Sequence, residues 1–291
     1  MTTAEVVILA IVEGLTEFLP VSSTGHMILT EAALRMQNAP FNKLFIVNIQ
    51  FGAILAVVVL YRKRFFQSLD FYFKLFVAFI PAAVFGFLLH KHIEKLLSSV
   101  YTVAISFIVG GVVLIFIDRI FHQQIEDAAT DSDTEEIDEV DEFGIERKRE
   151  VLKRININFV QAFIIGCCQC IAMIPGVSRS AAAIVGGMSQ KLNIKRAAEF
   201  SFFLAVPTIF GAAALELKQF FDHSQFGITG DNISDLIWGN LISFVVGMLA
   251  IRFFIGLITR YGLKFFGYYR IIVGVIILIL MATGHKLEIP D

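Results

Sequence analysis

Residues 11–26 run IVEGLTEFLPVSSTGH, and residues 166–180 run GCCQCIAMIPGVSRS. Each sits inside an apolar stretch, 4–34 and 157–190, that is long enough to enter a bilayer. A lipid-facing helix would not carry Glu13, Glu17, Pro20 and the polar run Ser22-Ser23-Thr24-Gly25-His26. The second stretch is broken in the same way by Pro175-Gly176 and Ser178-Arg179-Ser180. Non-helical backbone at membrane depth is tolerated only inside protein or beside water. Both stretches are therefore expected to be re-entrant helical hairpins that return to the side they entered from.

The rest of the chain supports a membrane setting. Of its 291 residues 56% are hydrophobic and 17% charged, and Phe alone contributes 30. The mean hydropathy is +0.73. A soluble domain carries about 25% charged residues, so much of this surface faces something other than water. Six uninterrupted spans are expected at 44–61, 75–90, 101–120, 199–217, 237–258 and 268–284. The predicted fold class is an all-α polytopic membrane protein of two inverted repeats, each one re-entrant hairpin plus three transmembrane helices. The first repeat covers 1–121, a charged linker covers 122–156, and the second repeat covers 157–291. The hairpins align on Pro20 and Pro175, with Ser23 opposite Ser178. An odd number of crossings per half inverts the second copy, an architecture that places sites near the midplane.

Charge placement sets the orientation. Arg62-Lys63-Arg64, Lys191, Lys195, Arg196, Arg260 and Lys264 fall on one side, and Lys43, Lys91, Lys95 and Lys286 on the other. The first side is predicted to be cytoplasmic, so both termini and the mouth of the first hairpin face outward. The linker opens acidic and closes basic, which predicts a solvated, partly disordered cytoplasmic loop. No basic nucleic-acid patch occurs. No basic leader with a cleavage site precedes the first apolar run, so a removed signal peptide is not expected. Cys167, Cys168 and Cys170 lie too close together for helical disulfides and lack zinc spacing. They read as small packing residues.

Glu13 and Glu17 are four apart and share a helix face. Two such carboxylates repel unless a cation or proton lies between them. The turn after Pro20 supplies hydroxyls, freed backbone N–H groups and an imidazole. The second hairpin supplies Arg179, whose planar guanidinium pairs with phosphate oxygens in a fork. Each break is followed by a helix N-terminus, which favours an anion. The set suits a phosphoryl group handled with a hard divalent ion, Mg²⁺ or Ca²⁺, held by Glu13 and Glu17. Ser23 and His26 are both placed to act as nucleophile or acid–base group. Gln50 and Glu199 are polar residues in or at the edge of spans without an assigned role.

The run from Glu13 to His26 resembles the signature of the bacterial undecaprenyl-diphosphate phosphatase family of the bacitracin-resistance type. Pro175-Gly176-Val177-Ser178-Arg179-Ser180, the stretch from Gln50 to Ala56 and the stretch from Glu199 to Pro207 are similar to that family's too. The resemblance covers nearly the whole chain in order. It implies an enzyme of the bacterial inner (plasma) membrane that hydrolyses a polyprenyl diphosphate to the monophosphate and inorganic phosphate. The carrier then returns to cell-wall synthesis, and bacitracin resistance follows. By similarity Glu13 and Glu17 serve metal and water, and Ser23 or His26 attacks or moves protons. Arg179, Ser178 and Ser180 hold the diphosphate, with Ser22, Thr24 and Gly25 beside them, in a site that opens outward. The expected partners are the lipid substrate and membrane lipids, with no nucleic acid; the oligomeric state is open, a homodimer included. This chain departs from the pattern at Ala181, where the family usually has Gly.

Two rival classes meet specific objections. The phosphatidic-acid-phosphatase type is excluded, because six residues after Arg179 stands Val185 rather than His. A polyprenyl-phosphate flippase or anion transporter would share inverted repeats and broken helices. Binding alone, however, does not require carboxylates, hydroxyls and imidazole crowded into one turn.

Overall fold

The computed structural model describes the backbone of every residue except 37–38, 66–68, 98, 132–133, 141–145, 153–154, 224–229 and 284–291. The side chains of 132–154, and those of His90, Lys91, His92, Lys95, His223, His285 and Lys286, lie outside the described residues.

The chain folds as α1 (Thr3–Thr16), α2 (Ser23–Leu34), α3 (Pro40–Leu60), a short α4 (Arg62–Phe65), α5 (Leu69–Leu97), α6 (Val100–Ile120) and α7 (His122–Thr130). Two strands follow, β1 (Thr134–Val140) and β2 (Glu146–Leu152). The second half runs α8 (Phe159–Gln169), a 3₁₀ turn (Cys170–Met173), α9 (Arg179–Ser189), α10 (Ile194–His223), α11 (Gly230–Tyr261) and α12 (Lys264–Ala282). Among the described residues six helices, α3, α5, α6, α10, α11 and α12, are long and apolar enough to cross a membrane. The membrane body is thus all-helical, as expected, and the six spans match the predicted ones apart from their ends.

The broken segments are helix–turn–helix units. Thr2 and Glu5 form a capping box at the start of α1, and Asn158 and Gln161 form another at the start of α8. These satisfy N–H groups that the first turn would leave bare. Pro20 and Pro175 follow the first helix of each pair and cannot donate to a continuing helix. α1 packs on α11, and α8 packs on α5. A side chain at Gly14 would lie 2.8 Å from the Ser243 carbonyl, and one at Gly166 would collide with that of Ala78. Small residues let these backbones touch where no hydrophobic force exists between helices in lipid. α6 and α12 cross at Gly111 and Gly267. A Cβ on Gly111 would lie 2.6 Å from the Gly267 carbonyl, and a Cβ on Gly267 would lie 2.7 Å from that of Gly111.

Aromatic residues fill the interior where the first hairpin meets α10. Phe18 meets Phe202 edge-on at 5.2 Å, and Phe202 continues to Phe254. Such pairs add about 1 kcal/mol each to their burial, which seats the end of α1 firmly. Elsewhere Phe73, Phe76, Phe87, Phe116 and Phe253 stay exposed on helix surfaces, as lipid-facing residues do.

The linker departs from the expected loop. It begins as helix α7 and continues as the antiparallel ribbon β1–β2. The register pairs Thr134 with Leu152 at one end and Val140 with Glu146 at the other. The Asp131 side chain is buried and accepts from Arg196 Nε at 2.7 Å. Arg196 also reaches Glu199 at 3.3 Å, and Glu199 pairs with Arg64. Residues counted in the sequence as surface positive charge are therefore partly an interior network. It ties the linker and α4 to α10.

Candidate functional site

The end of α1 and the start of α2 carry the acids and hydroxyls. Glu13 lies in the last turn of α1, wholly buried, and Glu17 follows one turn later at the helix end. Ser22 caps α2, its hydroxyl accepting from the Gly25 amide at 3.3 Å. Its φ is +71°, a conformation that non-glycine residues rarely hold without support. Here the support is a carbonyl turned to accept from His26 Nδ1 at 2.8 Å. Ser23 is the first residue of α2, and its hydroxyl donates to Glu17 Oε2 at 2.5 Å.

The second hairpin supplies the cation. Ser178 caps α9, accepting from the Ala181 amide at 3.2 Å, so Arg179 is the first residue of that helix. Arg179 Nη2 donates to Glu17 Oε1 at 3.2 Å, and Nη1 donates to the Ser201 carbonyl at 3.0 Å. Its Nε is buried without a partner among the described residues. Glu17 is thus gripped on one oxygen by Ser23 and on the other by Arg179. Ser23 and Arg179, the first residues of α2 and α9, thus meet on one carboxylate, each following a serine cap, Ser22 and Ser178.

Other candidates have partners within the protein. Ser178 and Ser180, expected to hold the diphosphate, both donate to the Leu19 carbonyl in this structure, at 3.3 and 2.9 Å, and their hydroxyls lie 2.9 Å apart. The helix break frees that carbonyl, and the opposite hairpin satisfies it. Gly25 is packed so closely that a Cβ would lie 2.5 Å from the Phe107 ring. Thr24 is exposed. His26 stacks on Tyr269 and bonds its hydroxyl through Nε2 at 2.8 Å. Ala181 lies inside α9, where a helical backbone takes alanine without strain.

Two contributors escaped the sequence reading. Tyr269 holds His26. Arg270 is buried to 1% exposure within the span α12 and donates to the carbonyls of Pro20, Ser106 and Gly176. An arginine within the first half of an apolar span was a readable signal, since such charges are expensive unless used. Its partners are backbone oxygens and left no mark in the sequence.

Glu13 has both oxygens buried and neither bonded among the described residues. A buried carboxylate in that condition needs a proton or a cation. No cluster of three or more candidate ligand side chains occurs among the described residues. The set Glu13 plus Glu17 therefore fits an ion that takes one or two carboxylates and completes its shell with phosphate oxygens and water. Mg²⁺ in phosphoryl-transfer sites behaves this way. The donors present fit such an ion.

The family of this arrangement is decided by comparison with known proteins. The model of the family described as bacitracin resistance protein BacA matches residues 6–276. The chain belongs to the BacA family. Among BacA-like relatives, the undecaprenyl-diphosphatase of Flavobacterium psychrophilum is 50% identical over 291 residues, covering 99% of this chain and 100% of that one. That of Flavobacterium johnsoniae is 49% identical with the same coverage. That of Bdellovibrio bacteriovorus is 45% identical over 99% of each chain. The BacA match spans both hairpins, so the Ser23–Glu17–Arg179 contact lies inside the shared region.

Proposed function

We propose that this chain is an undecaprenyl-diphosphatase that releases inorganic phosphate from the lipid diphosphate and returns the monophosphate carrier to cell-wall synthesis. The observation that carries the reading is the chain of contacts from Ser23 through Glu17 to Arg179. A hydroxyl donating to a buried carboxylate is an activated nucleophile beside its base. A guanidinium beside it is where a phosphate would be gripped.

In the proposed reaction the Ser23 hydroxyl attacks the terminal phosphorus. Glu17 accepts its proton, the anhydride P–O bond breaks, and the lipid monophosphate leaves with the bonding electron pair. Glu17 hands that proton to the departing lipid phosphate and then deprotonates a water that attacks the phosphoserine. The phosphorus–Oγ bond breaks, Ser23 Oγ takes the proton back from Glu17, and inorganic phosphate leaves. Arg179 neutralises the oxygens throughout, through its unpartnered Nε and through Nη2 as Glu17 takes up the proton. Glu13 and Glu17 would hold a divalent ion, Mg²⁺ or Ca²⁺, which when bound supplies positive charge to the diphosphate. In diphosphate chemistry the leaving group is already good, so positioning and charge neutralisation do most of the work. The relatives' names support this reading over a flippase.

The same proposal includes sidedness. The halves are read as an inverted repeat, supported by the reciprocal Gly111–Gly267 crossing and the shared cap register. The site then opens outward from the inner membrane. The test is phosphate release by purified protein from polyprenyl diphosphate in detergent. Release should need a divalent ion and stop with a chelator. Glu17→Gln, Ser23→Ala and Arg179→Ala should each lower kcat by about 10²-fold or more, with folding retained. Unchanged release in Glu17→Gln and Ser23→Ala would end the assignment.

A further inference from the structure

Arg270 carries the further inference. Its guanidinium donates to Gly176 O at 2.7 Å, Ser106 O at 2.9 Å and Pro20 O at 3.3 Å. Pro20 and Gly176 are the break points of the two hairpins, and Ser106 lies on α6, the helix that α12 crosses. Three carbonyls from three separate segments thus meet on one side chain. No acidic residue pairs with it among the described residues. Its face packs over the Phe107 ring, 5.4 Å from the centroid. A buried charge held only by backbone dipoles is costly in an apolar span. A packing role would be met by leucine or methionine, without that cost.

The bonded carbonyls give the reason for a guanidinium. The break before α2 frees Pro20 O, and the positive φ of Gly176 turns its carbonyl away from a helix. The planar fork of arginine binds several oxygens at fixed angles, which an ammonium does not. Three residues beyond Pro20 is Ser23, and three beyond Gly176 is Arg179. Fixing the two break points fixes the separation of these two groups. We propose that Arg270 is the positioning residue of the site: it staples the two hairpin breaks together and so sets the distance between nucleophile and phosphate grip. The inference rests on the hydrolase reading above, and it adds a residue outside the reacting groups.

Gly110 offers a test that touches no reacting residue. A Cβ there would collide with Arg270 Nη2, and the three heavy atoms nearest to it all belong to Arg270. Gly110→Ala should push the guanidinium off the carbonyls. A misplacement of about 1 Å costs on the order of 10²-fold in rate, so kcat should fall at least threefold, with KM within about threefold of the parent. Arg270→Lys should also lower kcat. The shorter ammonium leaves room for the methyl, so Gly110→Ala should then cost nothing more in the double variant. Hydrogen exchange provides a readout without turnover. Amides of residues 21–25 and 176–182 should exchange faster together in Gly110→Ala, with those around Glu199 unchanged.

A kcat loss under threefold in Gly110→Ala, losses that multiply in the double variant, or unchanged exchange at both tips would each overturn the proposal. If Gly110→Ala does not fold, Arg270→Lys decides by the same rate and exchange criteria. If the parent releases no phosphate, the hydrolase reading fails, and exchange at the tips alone judges the staple.

Discussion

His26 and Ser23 are the two groups proposed to attack phosphorus, and their hydrogen bonds separate them. The Ser22 carbonyl can only accept, so His26 Nδ1 must carry the proton in that 2.8 Å contact. Nε2 then holds a lone pair, and the Tyr269 hydroxyl 2.8 Å away donates to it. Both ring nitrogens are engaged, and the ring supports the Ser22 turn. Ser23 instead donates directly to a carboxylate that can take its proton. Tyr269→Phe removes one neutral hydrogen bond, worth about 1 kcal/mol, so activity should fall about fivefold. Ser23→Ala should cost far more. Enzyme incubated with lipid diphosphate and quenched in neutral denaturing detergent should carry phosphate on Ser23, read by mass spectrometry; phosphate on His26 would reverse the assignment.

At the scale of the element, the helix breaks decide the site. Gly176 has φ of +86°, and a Cβ would lie 2.8 Å from both the Ser106 side chain and the Val103 carbonyl. Gly176→Ala should lower stability by about 1–3 kcal/mol, seen as a lower unfolding midpoint in detergent. Gly256, helical with open space around its Cβ position, is the control; Gly256→Ala should gain up to about 1 kcal/mol. Equal shifts in the two would show that strain is not the cause. The breaks themselves were legible, because a proline beside a polar run is too costly to leave facing lipid. Span ends were less so, since caps such as Ser99 on the Thr102 amide act within a turn rather than over a window. The partner that Ser178 and Ser180 share in this structure was not legible in the sequence. That partner, the Leu19 carbonyl, lies more than 150 residues away along the chain and exists only once the hairpins meet. The β1–β2 ribbon was hidden for a similar reason: charge-rich strands with no apolar alternation look like solvated loop until their pairing is known.

Over the whole molecule, the pieces constrain one another. The hairpins exchange partners between halves, α1 resting on α11 and α8 on α5, so neither half is complete alone. Loops on the side of Arg62 and Arg260 carry the basic residues, and the proposed orientation opens the first hairpin to the other side. A substrate diphosphate reaching Ser23 from outside requires this orientation. Single cysteines test it, in a chain with Cys167, Cys168 and Cys170 replaced by alanine. Asp231, exposed at the start of α11, lies on the predicted outer side, and Gln123, exposed in α7, lies on the inner side. A membrane-impermeant maleimide applied to intact cells should label Asp231→Cys fully and Gln123→Cys only after permeabilisation. The positive-inside bias counts short loops, and the acidic half of the linker weighs little against it. Labelling in the opposite order would turn the first hairpin toward the cytoplasm, and lipid diphosphate would then have to be hydrolysed from within.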